Sequence, residues 1–246
     1  MRVTAQTEYE AAARPRRHRG RSWLIVLIVL LGLLVAADRI SVAYAQSTLA
    51  TKIQQKQNLT QKPDVVIGGI PFLTQVAARD FSHVTVDIRG LVASGIPIAQ
   101  LHATLTGVHV SSGYNSATAD TVNASAVLDD ASLSAALTNR AGLGQVVVSQ
   151  GSNGRLKATF NILGLSASAQ IAATLLPDNV VELKSLAVNG LLSKYGFNAP
   201  AGFDVKLSLG SLPFRMQITD LQVDSGDVKV TADGHNVPLA GATLTQ

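Results

Sequence analysis

Leu165-Ser166-Ala167-Ser168-Ala169-Gln170-Ile171-Ala172-Ala173-Thr174-Leu175 decides how the chain folds. Leu165, Ala167, Ala169, Ile171, Ala173 and Leu175 take every second position, with Ser166, Ser168, Gln170 and Thr174 between them. A repeat of two belongs to an extended strand, whose side chains point alternately to opposite faces. One face is apolar and the other wet. A strand covered on both faces in a parallel sheet would read as a continuous apolar run, so this alternation specifies an antiparallel sheet solvated on one side.

The pattern recurs on both sides of that stretch. Leu156, Ala158, Phe160 and Ile162 alternate with Lys157, Thr159 and Asn161, and Phe203, Val205, Leu207 and Leu209 with Asp204, Lys206 and Ser208. Nearer the N-terminus, Val84, Val86 and Ile88 stand against His83, Thr85, Asp87 and Arg89. Ala99, Leu101, Ala103 and Leu105 stand against Gln100, His102, Thr104 and Thr106, and Val122, Ala124, Ala126 and Leu128 against Asn123 and Ser125. Turn-forming residues separate the strands at Gly95, Ser111-Ser112-Gly113, Gly151-Ser152-Asn153-Gly154, Pro177-Asp178-Asn179, Ser225-Gly226 and Asp233-Gly234. Slips of phase at Val181–Leu186 and Ile218–Leu221 predict bulges. Two short helices interrupt the strands, one opening at Pro71 toward Asp80 and one after the acidic cap Asp129-Asp130. The class is α+β, mostly β, with one sheet of eight to ten strands.

Such a sheet leaves a long apolar face that two short helices cannot cover. The residues leave two answers open. The sheet closes on itself with side chains filling the interior, or it curls around a ligand in volume left by its many inward alanines.

The N-terminal region reads differently. Trp23–Ala37 is an unbroken apolar run preceded by Arg14, Arg16, Arg17, Arg19 and Arg21. Clustered arginines stay on the cytoplasmic side of a membrane, so residues 1–22 are expected inside as a basic tail and the domain outside. Fifteen residues reach about 22 Å as a helix, between a signal core and a full span of about 30 Å. Ala43-Tyr44-Ala45 has the form of a signal-peptidase site, whereas the helical pattern continues past it through Ala45, Leu49 and Ile53. Anchor and cleaved signal both stand, with 23–37 as the membrane segment. Residues 38–62 form an amphipathic helix or stalk with Val42, Ala45, Leu49 and Ile53 on one face, and 63–246 the extracytoplasmic β-rich domain.

Charge and composition narrow the function. The net charge of +4 comes from residues 1–22, which hold six of the 20 basic and two of the 16 acidic residues and leave 14 of each beyond them. A folded domain of zero net charge offers no basic face to nucleic acid. With no cysteine, thiolate catalysis, disulfides and cysteine-held metals are excluded. The five histidines, at 18, 83, 102, 109 and 235, form no triad or metal spacing; His83, His102 and His109 fall on strands and His235 in a turn. No nucleophile elbow, phosphate loop or dinucleotide fingerprint occurs, so the chain reads as a non-enzyme without a cofactor.

The segment Gly69-Ile70-Pro71-Phe72-Leu73-Thr74-Gln75 carries a resemblance. Together with the arginine tail, the single apolar segment, the helix near Asp38 and the pattern from Leu221-Gln222-Val223 to Gly234-His235-Asn236-Val237-Pro238-Leu239, it resembles the LmeA-like phospholipid-binding family of actinobacteria over residues 36–240. The resemblance implies a cell-envelope protein that binds phospholipid and supports maturation of mannose-bearing lipoglycans, alongside envelope glycosyltransferase machinery. It also implies similarity to tubular lipid-binding folds, in which a long curved sheet wraps an N-terminal helix and encloses an acyl groove.

Pattern and resemblance together point to acyl chains leaving water for an apolar groove, at about 0.8 kcal/mol per buried CH₂. Leu101, Leu105, Phe160, Ile162, Leu165, Ala167, Ala169, Ile171, Phe203 and Val205 are the candidate lining, each equally placed to be ordinary core. Arg79 and Arg89 are candidates for a head-group phosphate. The alternative from another class is a packed envelope scaffold that binds a protein partner without lipid.

Overall fold

A computed structural model describes residues 19–93, 95–113, 115–141, 145–162, 165–190, 205–208 and 216–239; Phe203 lies outside them. Along the chain come α1 (Arg19–Lys56), β1 (Asp64–Ile67), α2 (Phe72–Ala78), β2 (Asp80–Ala93), β3 (Ile96–Val110), β4 (Ala117–Leu128) and α3 (Asp130–Ala141). They are followed by β5 (Val146–Gln150), β6 (Leu156–Ile162), β7 (Leu165–Leu176), β8 (Val180–Gly190), β9 (Val205–Ser208), β10 (Gln217–Asp224) and β11 (Asp227–Pro238).

The strands form two antiparallel sheets where one was expected. The first has the order β1-β2-β3-β4-β11-β10 and the second β5-β6-β7-β8-β9. The division has a topological cause: β11 returns from the end of the chain to pair with β4 along its length, so the edge that β5 would have extended is taken. The predicted slips are bulges. Leu186 is the extra residue where Gln170 and Ile171 pair with Ala187 and Ser185, and Thr219 the extra one between Ile218 and Asp220. Asp233-Gly234, expected as a turn, instead continues β11, with His235 in the same strand. Glycine is needed there because Met216 and Val237 crowd the space a side chain would enter.

Register aligns the apolar positions into rows. In the first sheet Val65, Val86, Ala103, Ala124, Ala232 and Ile218 run across all six strands, beside the row Ile88, Leu101, Ala126, Val230 and Leu221. Beyond Gly107 the core-facing parity changes: Phe81, Val108, Ala119 and Val237 join the core in place of the alternate positions. Gly107 has φ +61° and a Cβ there would overlap the Asp120 carboxylate, so the bend demands glycine. In the second sheet Phe160 pairs with Ala167, Ala158 with Ala169, and Leu156 with Ile171. All six side chains are at most 2% exposed, so this face is tightly filled.

Two devices join the sheets. Helix α3 buries Leu133, Ala136 and Leu137 at helical spacing, while its polar side chains satisfy the free edge of β5. The Val146 amide donates to Thr138 Oγ1 at 3.0 Å and the Val148 amide to Ser134 Oγ at 2.8 Å, which closes an edge otherwise open to pairing. At the other side Asn179, held at φ +58° in the β7–β8 turn, reaches the start of β10. Its Nδ2 donates to the Met216 carbonyl at 3.1 Å and its Oδ1 accepts from the Ile218 amide at 2.8 Å.

The helices follow their sequence signals. Asp129 caps α3 by accepting from the Ser132 amide at 2.8 Å, and the Ser132 hydroxyl and amide together hold its carboxyl below the ordinary range. Helix α1 is a single unbroken rod of about 57 Å. Its docked half buries Val42 and Ala50, with Ile53 half-buried, while Leu49, expected on that face, is exposed. The buried stripe is thus turned toward Ala50.

Two predictions follow from these contacts. Asn179→Ala leaves the Ile218 amide and Met216 carbonyl unsatisfied and should cost about 1–3 kcal/mol in urea unfolding; a loss under 0.5 kcal/mol would show that the turn does not join the sheets. Burial, then the nearby charges of Asp129, Asp130 and Asp224, raise the Asp227 carboxyl above the ordinary range. A raised carboxyl favours folding below the unfolded value of about 3.9, and that contribution is lost as pH rises through the raised value. Asp227→Asn should therefore stabilise the protein at pH 7 and bring no gain at pH 3, measured as the unfolding midpoint at both.

Candidate functional site

The apolar face of the first sheet is not uniformly covered. Its rim residues Val65, Val84, Ile88, Val122, Val230 and Ala232 are buried, whereas Val86, Leu101, Ala103, Leu105, Ala124 and Ala126 in the middle are only half-buried. At one margin Ile53 of α1, Val86 and Leu101 pack against the buried cluster of Leu59, Ile88 and Leu91. The floor is aliphatic throughout, and its register places Ala103 beside Ala124 and Leu101 beside Ala126. Alanine next to alanine adds little side-chain volume to that floor. Such a surface attracts apolar ligand atoms through desolvation alone.

Sequence reasoning found part of this floor. Leu101 and Leu105 lie on it. Phe160, Ala167, Ala169 and Ile171 instead sit in the second sheet with exposures of 0–2%, as parts of one continuous core, and Val205 is also buried in that core. Ile162 ends β6 and Leu165 opens β7, but their side chains are outside the described set. Val86, Ala103, Ala124 and Ala126 were missed as site residues although they share the same alternation. Their signal was the clustering of alanines on adjacent strands, which becomes visible only once the register is known.

The two arginines are placed apart from the floor. Arg79 is exposed at the C-terminal end of α2, with φ +58°. Arg89 lines an open pocket of about 380 Å³ with Gln61, Lys62, Asp64 and Asp87. Asp64, Asp87 and Arg89 have the parity opposite to Val65, Val86 and Ile88, so that pocket belongs to the polar side of the sheet. With two cations and two carboxylates it presents no net positive charge to a lone phosphate. A second open pocket of about 420 Å³ lies between α1 and the start of β1, lined by Ala43, Gln46, Ser47, Ala50 and Lys62 among others.

The titratable pairs on the polar face are strand-to-strand contacts. His102 Nδ1 lies 2.7 Å from Asp87 Oδ1, and His109 lies between Asp80 and Asp120 at 3.4 and 3.3 Å. All of these are solvent-accessible, and the Thr104 hydroxyl lies 3.4 Å from His102 Nε2 on the same exposed face. Among the described residues no group of three or more side chains is arranged to hold a metal ion.

A different feature lies where the apolar helix ends. Asp38 directly follows Ala37 and is only 3% exposed. Its Oδ1 accepts the Leu73 amide of α2 at 2.8 Å and its Oδ2 pairs with Arg39 at 2.6 Å. Helix α2 begins at Pro71, which offers no side-chain cap, so a carboxylate from another helix supplies the anion that its N-terminus requires. On the other side of α2, Phe72 stacks at a tilt on Phe81 of β2, with ring centroids 6.1 Å apart. The chain Asp38, α2, β2 thus ties the apolar helix to the first sheet.

Comparison with known proteins agrees with this architecture. No curated protein and no solved structure matches the chain. A family model described as LmeA-like phospholipid-binding matches residues 36–233, from the end of the apolar run to the last strand. The match covers most of the chain, and the protein belongs to the LmeA-like phospholipid-binding family.

Proposed function

We propose that this protein is a non-catalytic, membrane-anchored phospholipid-binding protein on the extracytoplasmic side of the cell envelope. In this reading it holds acyl chains on the alanine-rich floor of the first sheet and supports lipoglycan maturation, with envelope glycosyltransferase machinery as its partner. Family membership supports phospholipid as the ligand class, and the half-buried floor Val86, Leu101, Ala103, Leu105, Ala124 and Ala126 is the observation that supports the place. Each methylene laid on it contributes up to about 0.8 kcal/mol, so affinity follows chain burial more than head-group identity.

Retention of the anchor is supported by the docked half of α1. Residues from Trp23 to Val35 are exposed along a stretch with mean hydropathy 2.4, and none of the other described residues covers them. Cleavage after Ala45 would remove both Asp38, which caps α2, and the buried Val42. The arginines before the run support a domain on the outer side.

One observation favours a second reading. The second sheet is filled by its own side chains, and a scaffold that binds a protein partner needs no more than that. The two readings separate in one experiment. Full-length protein in vesicles is irradiated with a phospholipid carrying a photoreactive group on its acyl chain, and adducts are mapped by mass spectrometry. The lipid reading expects adducts on β3 and β4, reduced several-fold by Ala103→Trp with the unfolding midpoint retained. Ala169→Trp instead overpacks the core and should destabilise by about 1–3 kcal/mol or more. Adducts absent from β3 and β4, or unaffected by Ala103→Trp, would contradict it.

A further inference from the structure

We infer that the bilayer contacts this protein at a second place besides the anchor: the Ile70–Pro71 loop and the start of α2 sit in the membrane interface, next to the emerging helix. The inference rests on the anchor reading above. Trp23–Ala37 spans about 22 Å as a helix and the hydrocarbon about 30 Å, which leaves about 8 Å, or roughly five residues, to be supplied. The arginines upstream of Trp23 hold that end at the cytoplasmic surface, so the missing length comes from Asp38–Val42. Residues at that level therefore meet lipid.

What the structure places at that level fits such a surrounding. Asp38 is the one carboxylate there, and it is shielded from outside by the Arg39 guanidinium and the Leu73 amide. A charge near the hydrocarbon is tolerated when paired and bonded in this way. The Leu73 amide is one hydrogen bond from Asp38, so the beginning of α2 shares its depth. Ile70 is 81% exposed, Ile40 70% and Tyr44 75%, with Leu73 also open. Three large apolar residues so bare around one buried ion pair are poorly suited to water and well suited to the acyl boundary, with Tyr44 of the type enriched at membrane interfaces. Arg39, half-exposed, reaches outward from the same level toward lipid phosphates. Because α2 also packs on β2 through Phe72 and Phe81, this contact brings an edge of the first sheet close to the bilayer.

Depth-dependent quenching tests the inference. The single tryptophan is first removed as Trp23→Phe, and one tryptophan is then introduced into the full chain as Leu31→Trp, Ile70→Trp or Lys229→Trp. Each variant is reconstituted into vesicles of phosphatidylcholine with and without bromine on the acyl chains. Ile70 is almost fully exposed, and the site accepts a larger side chain without meeting the core. The expected result is strong quenching at 31, clear quenching at 70 and none at 229. Quenching at 31 with position 70 no different from 229 would overturn the interfacial contact and leave the anchor standing. Absence of quenching at both 31 and 70 would overturn the anchor and this inference with it. Since the chain has no cysteine, Ile70→Cys carrying an environment-sensitive dye provides an independent reading, with a blue-shifted emission in vesicles expected and an aqueous emission contradicting it.

Discussion

Both sheets of this protein are apolar on one side only, and neither side can face water. The two solve that problem differently. In the second sheet Ala167 faces Phe160, the pair Ala158 and Ala169 lies between that pair and Leu156 with Ile171, and all six are at most 2% exposed, so the interior closes. In the first, Ala103 pairs with Ala124, Ala124 with Ala232, and Ala126 with Leu101. The side chains along the middle of that face stay half-buried. Paired alanines thus occur in both sheets, closed over in one and half-open in the other, so what packs above them makes the difference.

Helix α1 links that face to the apolar segment. It runs without a break from that segment into the domain, so the two are coupled by a rod and not by a flexible tether. Asp38 makes the coupling specific, since its carboxylate serves the N-terminus of α2 while its neighbour Arg39 neutralises it. Helix α2 passes the constraint to β2, whose Val86 and Ile88 belong to the floor and its rim. On the proposed reading this fixes the height and orientation of the apolar surface above the bilayer.

Much of this was legible in the sequence. Period-two alternation located the strands, Pro71 and Asp129 marked the starts of two helices, and phase slips gave both bulges. The division into two sheets was not legible, because the pairing of β11 with β4 joins residues about a hundred positions apart and no local pattern encodes it. Gly234 misled for a related reason, as its small size serves the approach of Met216 and not a turn. Candidate lining residues were divided by the same limit. Leu101 and Phe160 look alike as alternating apolar positions, and only tertiary packing leaves one half-open and the other closed. The carboxylate cap of α2 by Asp38, 35 residues away, carried no sequence signal beyond a charge at the end of an apolar run.

The account depends on acyl chains occupying the open middle of the first sheet. Native mass spectrometry of the full-length protein, extracted from membranes and stripped of detergent in the gas phase, tests this directly. Retention of a phospholipid mass on the chain, lost in the Ala103→Trp variant while that variant stays folded, is the predicted result. A bare chain mass under conditions that preserve other lipid complexes would contradict it.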